Sequence, residues 1–403
     1  MTTWFVPGRI EVLGKHTDYA GGRSLLAAVE RGFRVTSAPR DDDQVVVAIP
    51  ARGETCSGAL DPHLFVPGRG WRNYAMTVAR RLARDFPQAR RGADIVLVSD
   101  LPKSSGMSSS SAMMIGIFLA LADANALDRD PAAATVYRTR ESLAGYLAAV
   151  ESGQAFETFP GDRGVGTSGG SEDHAAILCC RAGALAQYAF CPVRHEATVP
   201  LDGRWIFAVG VSGVTASKTG SARSSYNDAA GAIARMLRVW RGVTGREDGV
   251  LAHALESAPE AADRLRGALA AAGEAWLVDR LDQFVEESDR LVPTAAAALA
   301  RDDMTGFGTL VDRSQLLAER ALGNQVTETT VLARSARDLG AAAASSFGAG
   351  FGGSVWALVR ATEAERFIER WSSGYRHAFP EAGARSAFFA TRPGPSASKV
   401  DDA

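Results

Sequence analysis

Lysine is scarce in this 403-residue chain. Of its 44 basic residues only Lys15, Lys103, Lys218 and Lys399 are lysines; the rest are arginines. Lys is a compact point charge where Arg is a wide planar fork, so the few lysines draw attention to the segments that hold them, Lys399 in a Ser/Pro/Asp tail aside. Cysteine is equally sparse. Cys56, Cys179, Cys180 and Cys191 form no CxxC pair, which excludes a disulfide framework and a thiolate zinc site and leaves free thiols in a reducing compartment. The six histidines lack ligand spacing, so no structural zinc site is expected. A net charge of −2 supplies no field for holding nucleic acid. No apolar run reaches the ~18 residues of a membrane span, and the N-terminus shows no basic stretch followed by an apolar one. A cytoplasmic protein with neither membrane nor nucleic-acid partners is expected. No GxxxxGK[ST] pattern occurs, which argues against an ordinary P-loop fold, and no tandem repeat is seen.

What is present is the balance of a globular protein, 46% apolar and 22% charged, at a length that favours two domains. Short apolar, β-rich runs fall at 5–13, 24–36, 45–49, 95–98, 182–190, 204–211 and 355–359. Helical periodicity covers 71–85, 110–126, 132–155, several segments of 224–301, 314–322, 329–339 and 362–372. The chain therefore reads as mixed α+β, with a β-rich domain over 1–200, a helix-rich α/β domain over 201–391 and a disordered tail over 392–403.

Three segments carry chemistry. In Pro7–Gly22 an apolar strand runs into a turn holding Arg9, Lys15, His16 and Asp18, donors and acceptors of the kind a polyhydroxylated ligand needs. In 102–112 a Ser/Gly loop separates a strand from a long helix. A helix N-terminus exposes unpaired N–H groups, small residues let a phosphate approach them, and serine hydroxyls add donors or Mg²⁺ ligands. In Gly169–His174 a carboxylate, Asp173, follows a glycine-rich loop; Gly348–Ser354 is a further glycine loop.

These segments resemble, in order, the signatures of the galactokinase branch of the GHMP kinases. The first signature, PGR-hydrophobic-Asn-hydrophobic-IGEHTDY, is matched by Pro7-Gly8-Arg9, Leu13-Gly14 and His16-Thr17-Asp18-Tyr19, with Lys15 where the family has Glu. The second, Pro-x-Gly-x-Gly-Leu-Ser-Ser-Ser-Ala, is matched by Pro102, Gly106, Ser108, Ser109 and Ser110; Ser104, Met107 and Ser111 depart from it. The pattern Gly-Ile-Met-Asp-Gln is matched by Gly170 and Asp173, while Ser171, Glu172 and His174 depart. Gly348–Gly353 is similar to the third signature, and Trp71-Arg72-Asn73-Tyr74 and Ser224-Ser225-Tyr226 resemble smaller family segments.

The resemblance implies a two-lobed fold with the active site between the lobes. It implies ATP held through Lys103, Ser104, Ser105, Gly106, Ser108, Ser109 and Ser110, and Mg²⁺ held by Ser110 and Glu151, with Glu157 the competitor because the stretch from Glu151 to Asp173 is longer than the family's. Arg9 would stabilise the transferring phosphoryl group and Asp173 would orient the anomeric hydroxyl of a sugar. His16, Asp18, Gly170 and Tyr226 would hold the other hydroxyls. The expected activity is that of a sugar 1-kinase, in a monomer or weak homo-oligomer. Lys15 leaves two substrates open. As a cation that only donates, it would suit the carboxylate of a uronic acid such as galacturonate; turned away or paired, it would leave a neutral hexose. A sugar- and ATP-sensing regulator without catalysis is the alternative of another class, against which the intact serine run and the Arg9/Asp173 pair speak. His16-Thr17-Asp18-Tyr19 speaks against a mevalonate- or homoserine-type substrate.

Overall fold

The computed structural model describes residues 1–66, 70–102, 105–215 and 221–400, the side chains of 221–226 excepted. The first sheet is built on β1 (Thr2–Leu13) and β2 (Arg23–Pro39), an antiparallel pair linked by the polar turn. β3 (Gln44–Ile49), β4 (Glu54–Ala59) and β5 (Ala93–Ser99) extend it on one side in the order β1-β2-β5-β3-β4. β6 (Ala184–Ala189) pairs with the start of β2, and β7 (Arg194–Pro200) with β6. Every residue of β1 from Val6 to Leu13 is buried, so polar side chains on this strand need partners inside the protein.

α1 (Trp71–Asp85), α2 (Ser109–Ala124), α3 (Arg140–Ser152) and α4 (Glu172–Cys179) belong to this lobe. α2 is buried without interruption from Ser111 to Ala122, as an all-apolar helix must be, and packs on β1 and β2. The second sheet is antiparallel, ordered β11-β8-β10-β9, from β8 (Trp205–Val211), β9 (Ala343–Phe347), β10 (Ser354–Arg360) and β11 (Ala387–Thr391). Helices from α5 (Ser221–Thr244) to Asp338 separate β8 from β9 in sequence. No helix among the described residues is long and apolar enough to cross a membrane.

Two expectations are corrected. The continuous helix over 132–155 is instead a short turn at Pro131–Ala133 followed by α3. Thr139 caps α3, accepting from the Ser142 N–H, and Gly153, at φ 84°, closes it with a left-handed residue. The tail, read from its composition as disordered, is docked through residue 400. Ser398–Lys399 forms β12 on the outer edge of β1, the Gly394 N–H donates to the Ala28 carbonyl at 2.8 Å, and Lys399 lies 3.0 Å from Asp123. Composition reports the tail's inability to form its own core; it is silent on an open strand edge elsewhere that can receive it.

Truncation after Thr391 uncovers that edge. The melting temperature is expected to fall by several degrees in a thermal scan, since roughly 2–4 °C follows each kcal/mol lost in a domain of 150–250 residues. An unchanged midpoint would contradict the docking.

Candidate active site

Alternation along β1 sends Arg9 and Glu11 to the same face. The Arg9 side chain is 5% exposed; its Nε donates to Asp173 Oδ1 at 2.8 Å and its Nη2 lies 2.6 Å from the same oxygen. Its Nη1 donates to the Gly106 carbonyl and its backbone N–H to that of Met107. Arg9 thus ties the Ser/Gly loop to the first turn of α4. Burial opposes its charge, but Asp173, Glu172 and Glu11 together hold its pKa above the ordinary value. Ser111 Oγ, in the first turn of α2, donates to Glu151 Oε2 at 2.9 Å and to Asp173 Oδ2 at 3.3 Å; His174 Nε2 lies 3.3 Å from the same Glu151 oxygen.

These groups line one cavity. Its charged walls are five carboxyls (Glu11, Asp18, Glu151, Glu172 and Asp173) and one guanidinium, Arg9. Two glycines are required by close approach. A Cβ on Gly170 would lie 2.4 Å from Asp18 Oδ2, and one on Gly348, at φ 79°, would lie 2.8 Å from the Gly106 carbonyl oxygen. The late glycine loop therefore packs directly on the Ser/Gly loop. His16 also lines the cavity, from a left-handed backbone (φ 59°) that a non-glycine residue adopts at a cost. Its Nε2 donates to the Ala349 carbonyl at 3.1 Å, and its Nδ1 lies 2.9 Å from the Tyr19 hydroxyl. The imidazole is a strut between the turn and the glycine loop.

Lys15 does not line the cavity. It is 1% exposed, and its ammonium donates to Ser345 Oγ at 2.8 Å and Ser314 Oγ at 3.2 Å. Glu287 accepts from the Gly14 N–H and from Ser314 Oγ, both at 2.8 Å, fixing the turn from behind. On the cavity side the carboxyls of Glu11 and Glu172 lie close enough that each acts on the other's titration. Burial pushes the Glu11 carboxyl up to about 7 against the opposing pull of Lys15 and Arg9. Burial, with the charges of Glu11 and Asp18, raises that of Glu172 as well. Ser24 Oγ donates to Glu172 Oε2 at 2.8 Å, and the Glu172 N–H donates to Asp18 Oδ2 at 3.1 Å.

The first turn of α2 faces two cavities. Ser111 looks into the one just described, while Ser109 and Ser110 line a second of about 780 Å³ with Phe33, Trp71, Tyr74 and Met113. α2 has no side-chain N-cap, and Ser105 Oγ and Ser108 Oγ are buried without a hydrogen-bond partner among the described residues. Such orphaned hydroxyls at an uncapped helix N-terminus are what an oxyanion would satisfy. Among the described residues no group of three His, Cys, Asp or Glu side chains is spaced to hold a metal by itself. The Ser111–Glu151 pair fits Mg²⁺, which takes one or two protein oxygens and completes its shell with phosphates and water.

Family models agree with this geometry. The galactokinase galactose-binding signature matches residues 2–39, the GHMP kinase N-terminal domain residues 73–156 and the GHMP kinase C-terminal domain residues 295–377. The galactokinase of Chloroflexus aurantiacus is 30% identical over 388 residues, 92% of this chain and 86% of that protein. The chain belongs to the galactokinase branch of the GHMP kinases. That of a Roseiflexus species is 27% identical over 386 residues, 92% and 87% of the two chains. Among solved structures, a Lactococcus lactis galactokinase complexed with galactose shares the fold with a TM-score of 0.81 at 22% identity, over 99% of this chain and 95% of that one. A Methanococcus jannaschii mevalonate kinase matches with a TM-score of 0.59 at 12% identity, over 97% and 98%.

Arg9, His16, Asp18, Glu151, Gly170 and Asp173 come together at one cavity. Two readings need correction. Lys15 points behind the cavity, because the second sheet and the helix at Ser314 offer its ammonium hydroxyls where solvent would otherwise be needed. Ser110 faces the α1 side, and Ser111 is the serine beside Glu151. Glu157 pairs with Arg138 at 3.0 Å, away from Asp173. Lys103 and Ser104 lie outside the described residues, as does the Tyr226 side chain. Sequence reasoning passed over Ser111, His174 and above all Glu11. The available signal for Glu11 was its place: it stands where the first signature has Asn.

Two measurements check the electrostatics. Glu11 carries a folded-state pKa above its unfolded value of 4.5, so the folded state binds more protons between about pH 4.5 and 7 and stability falls as pH rises through that window. Glu11→Gln is expected to flatten this part of a urea-stability profile; an unchanged slope would contradict the assignment. Lys15→Met removes one partner from a buried charged set and is expected to cost about 3–5 kcal/mol in the same assay, whereas a surface lysine would cost next to nothing.

Proposed function

We propose that this protein transfers the γ-phosphoryl group of ATP to the anomeric hydroxyl of a neutral hexose of the galactose class. The observation that carries the reading is the Arg9–Asp173 pair set between the Ser/Gly loop and the acid-lined cavity, with Arg9 Nη2 2.6 Å from Asp173 Oδ1. Phosphoryl transfer through a loose transition state asks a protein for positioning and charge stabilisation more than for a strong base. In this reading the sugar oxygen attacks the γ-phosphorus, the bond to the bridging oxygen breaks, and ADP leaves. The Asp173 carboxylate aims the hydroxyl and receives its proton, which passes on to solvent. Arg9 lies against Asp173 and against the loop, where it neutralises charge gathering on the phosphoryl oxygens. Bound Mg²⁺ would screen the phosphates; Ser111 and Glu151 are the side chains that would hold it. The purine would lie between the apolar walls of the second cavity, which Trp71 and Tyr74 line, and the phosphates would meet the orphaned hydroxyls of Ser105 and Ser108. Asp18 and the Gly170 loop would read the sugar's remaining hydroxyls, while Tyr226 keeps the role the resemblance implies.

The choice of a neutral sugar over a uronic acid rests on charge. The carboxylate of a uronate would enter a cavity whose charged walls are five carboxyls and one guanidinium, and the ammonium that was to receive it is turned away. Like charges in so buried a site repel strongly. A panel of galactose, galacturonate, glucuronate and arabinose with ATP tests the reading through ADP release. Galactose turnover without uronate turnover is expected. Asp173→Asn is expected to lower kcat by at least about 10²-fold while the protein stays folded. Efficient turnover of galacturonate would overturn the neutral-sugar reading. Binding of sugar and ATP without turnover of any sugar would favour a sensor.

A further inference from the structure

Beside the catalytic cavity lies another of about 710 Å³, within the range of small-molecule sites (roughly 300–1,000 Å³). The two share Tyr19, Ala148, Ser152, Gly169 and Gly170 as walls. Four of these five residues have one carbon or none beyond Cα before any polar atom, so the partition between the cavities is thin. The far wall comes from the stretch after α3 that is longer than the family pattern, through Gln154, Phe156 and Glu157, and from Val193 at the turn between β6 and β7. The near wall is the first turn of α3, with Glu141 and Ser142.

The chemistry of this second chamber is that of a sugar site. The Phe156 ring is held in place against Tyr146, at 5.7 Å between centroids, and offers an apolar face. Glu157 is fixed by Arg138 at 3.0 Å. Around them stand carboxylate, amide and hydroxyl groups, the mixture of acceptors and two-way donors that ring hydroxyls pair with. None of these groups takes part in phosphoryl transfer as derived above.

We propose that the second cavity is a subsite for a glycosyl extension of the substrate, so that the enzyme phosphorylates the reducing end of a galactose-terminated disaccharide. The proposal rests on the sugar-kinase reading of the first cavity. The reducing-end ring occupies the Arg9–Asp173 cavity, the second ring lies over the Gly169–Gly170 partition against Phe156, and the bonds made and broken are those of the hexose reaction.

Galactobioses of different linkage, each with a free reducing end, test the proposal beside galactose. At least one is expected to be phosphorylated with kcat/KM within about tenfold of galactose or better. Ser142→Trp and Val193→Trp fill the second cavity from opposite walls without touching the first, and each is checked for its melting temperature. Either is expected to lower kcat/KM for the galactobiose by about tenfold or more while galactose stays within about twofold. Galactose turnover with no galactobiose turnover overturns the subsite alone. So does a loss on both sugars alike in both folded variants, which would mark a regulatory or structural cavity. Absence of turnover on every sugar overturns the sugar-kinase reading and the subsite together.

Discussion

The burial of charge along β1 is the constraint on which the site depends. Arg9 and Glu11 project to one face of the strand's buried stretch from Val6 to Leu13, and Lys15 follows in the turn behind them. A buried ion persists only when paired and hydrogen-bonded. Asp173, Glu172 and the Gly106 carbonyl answer Arg9; Glu172 and the field of Lys15 answer Glu11. These partners come from three separate parts of the chain, so satisfying the charges brings the Ser/Gly loop, α4 and the polar turn to one point. The arrangement that neutralises the strand is the one that assembles the acid-lined cavity.

The same logic joins the lobes. Lys15 reaches Ser314 and Ser345, Glu287 caps the turn at Gly14, His16 meets the Ala349 carbonyl, and Ser354 Oγ donates to the Ser105 carbonyl at 2.6 Å. Elements of the second half thus hold both the Ser/Gly loop and the polar turn of the first. Local strain follows from this: His16 and Ser108 both keep left-handed backbones, at φ 59° and 57°. The tertiary contacts over-determine these conformations, which is the condition under which such residues persist at functional sites.

Legibility in the sequence followed the range of the interactions. Contiguous signals were readable: the PGR and HTDY motifs, the serine run before an apolar helix, and α1 with its start at Trp71. Between β7, which ends at Pro200, and β8, which begins at Trp205, the chain passes from the first sheet to the second. What escaped depends on residues far apart in sequence. No local pattern says that Glu11 meets Glu172, that Ser111 rather than Ser110 meets Glu151, or that the tail finds the edge of β1. Lys15 shows the difference most clearly. Its charge suggested a ligand contact, but side-chain direction in a tight turn is set by what the opposite lobe offers, and there the offer is two hydroxyls.

In the proposed reaction the Arg9–Asp173 pair directs phosphoryl transfer to an anomeric oxygen. The most direct measurement is phosphorus NMR of the product formed from ATP and galactose, read for coupling of the new phosphate to the anomeric proton. That coupling is expected, with loss of the sugar's reducing end. A phosphate coupled to any other ring position, or a reducing end that stays free while ATP is consumed, would contradict it.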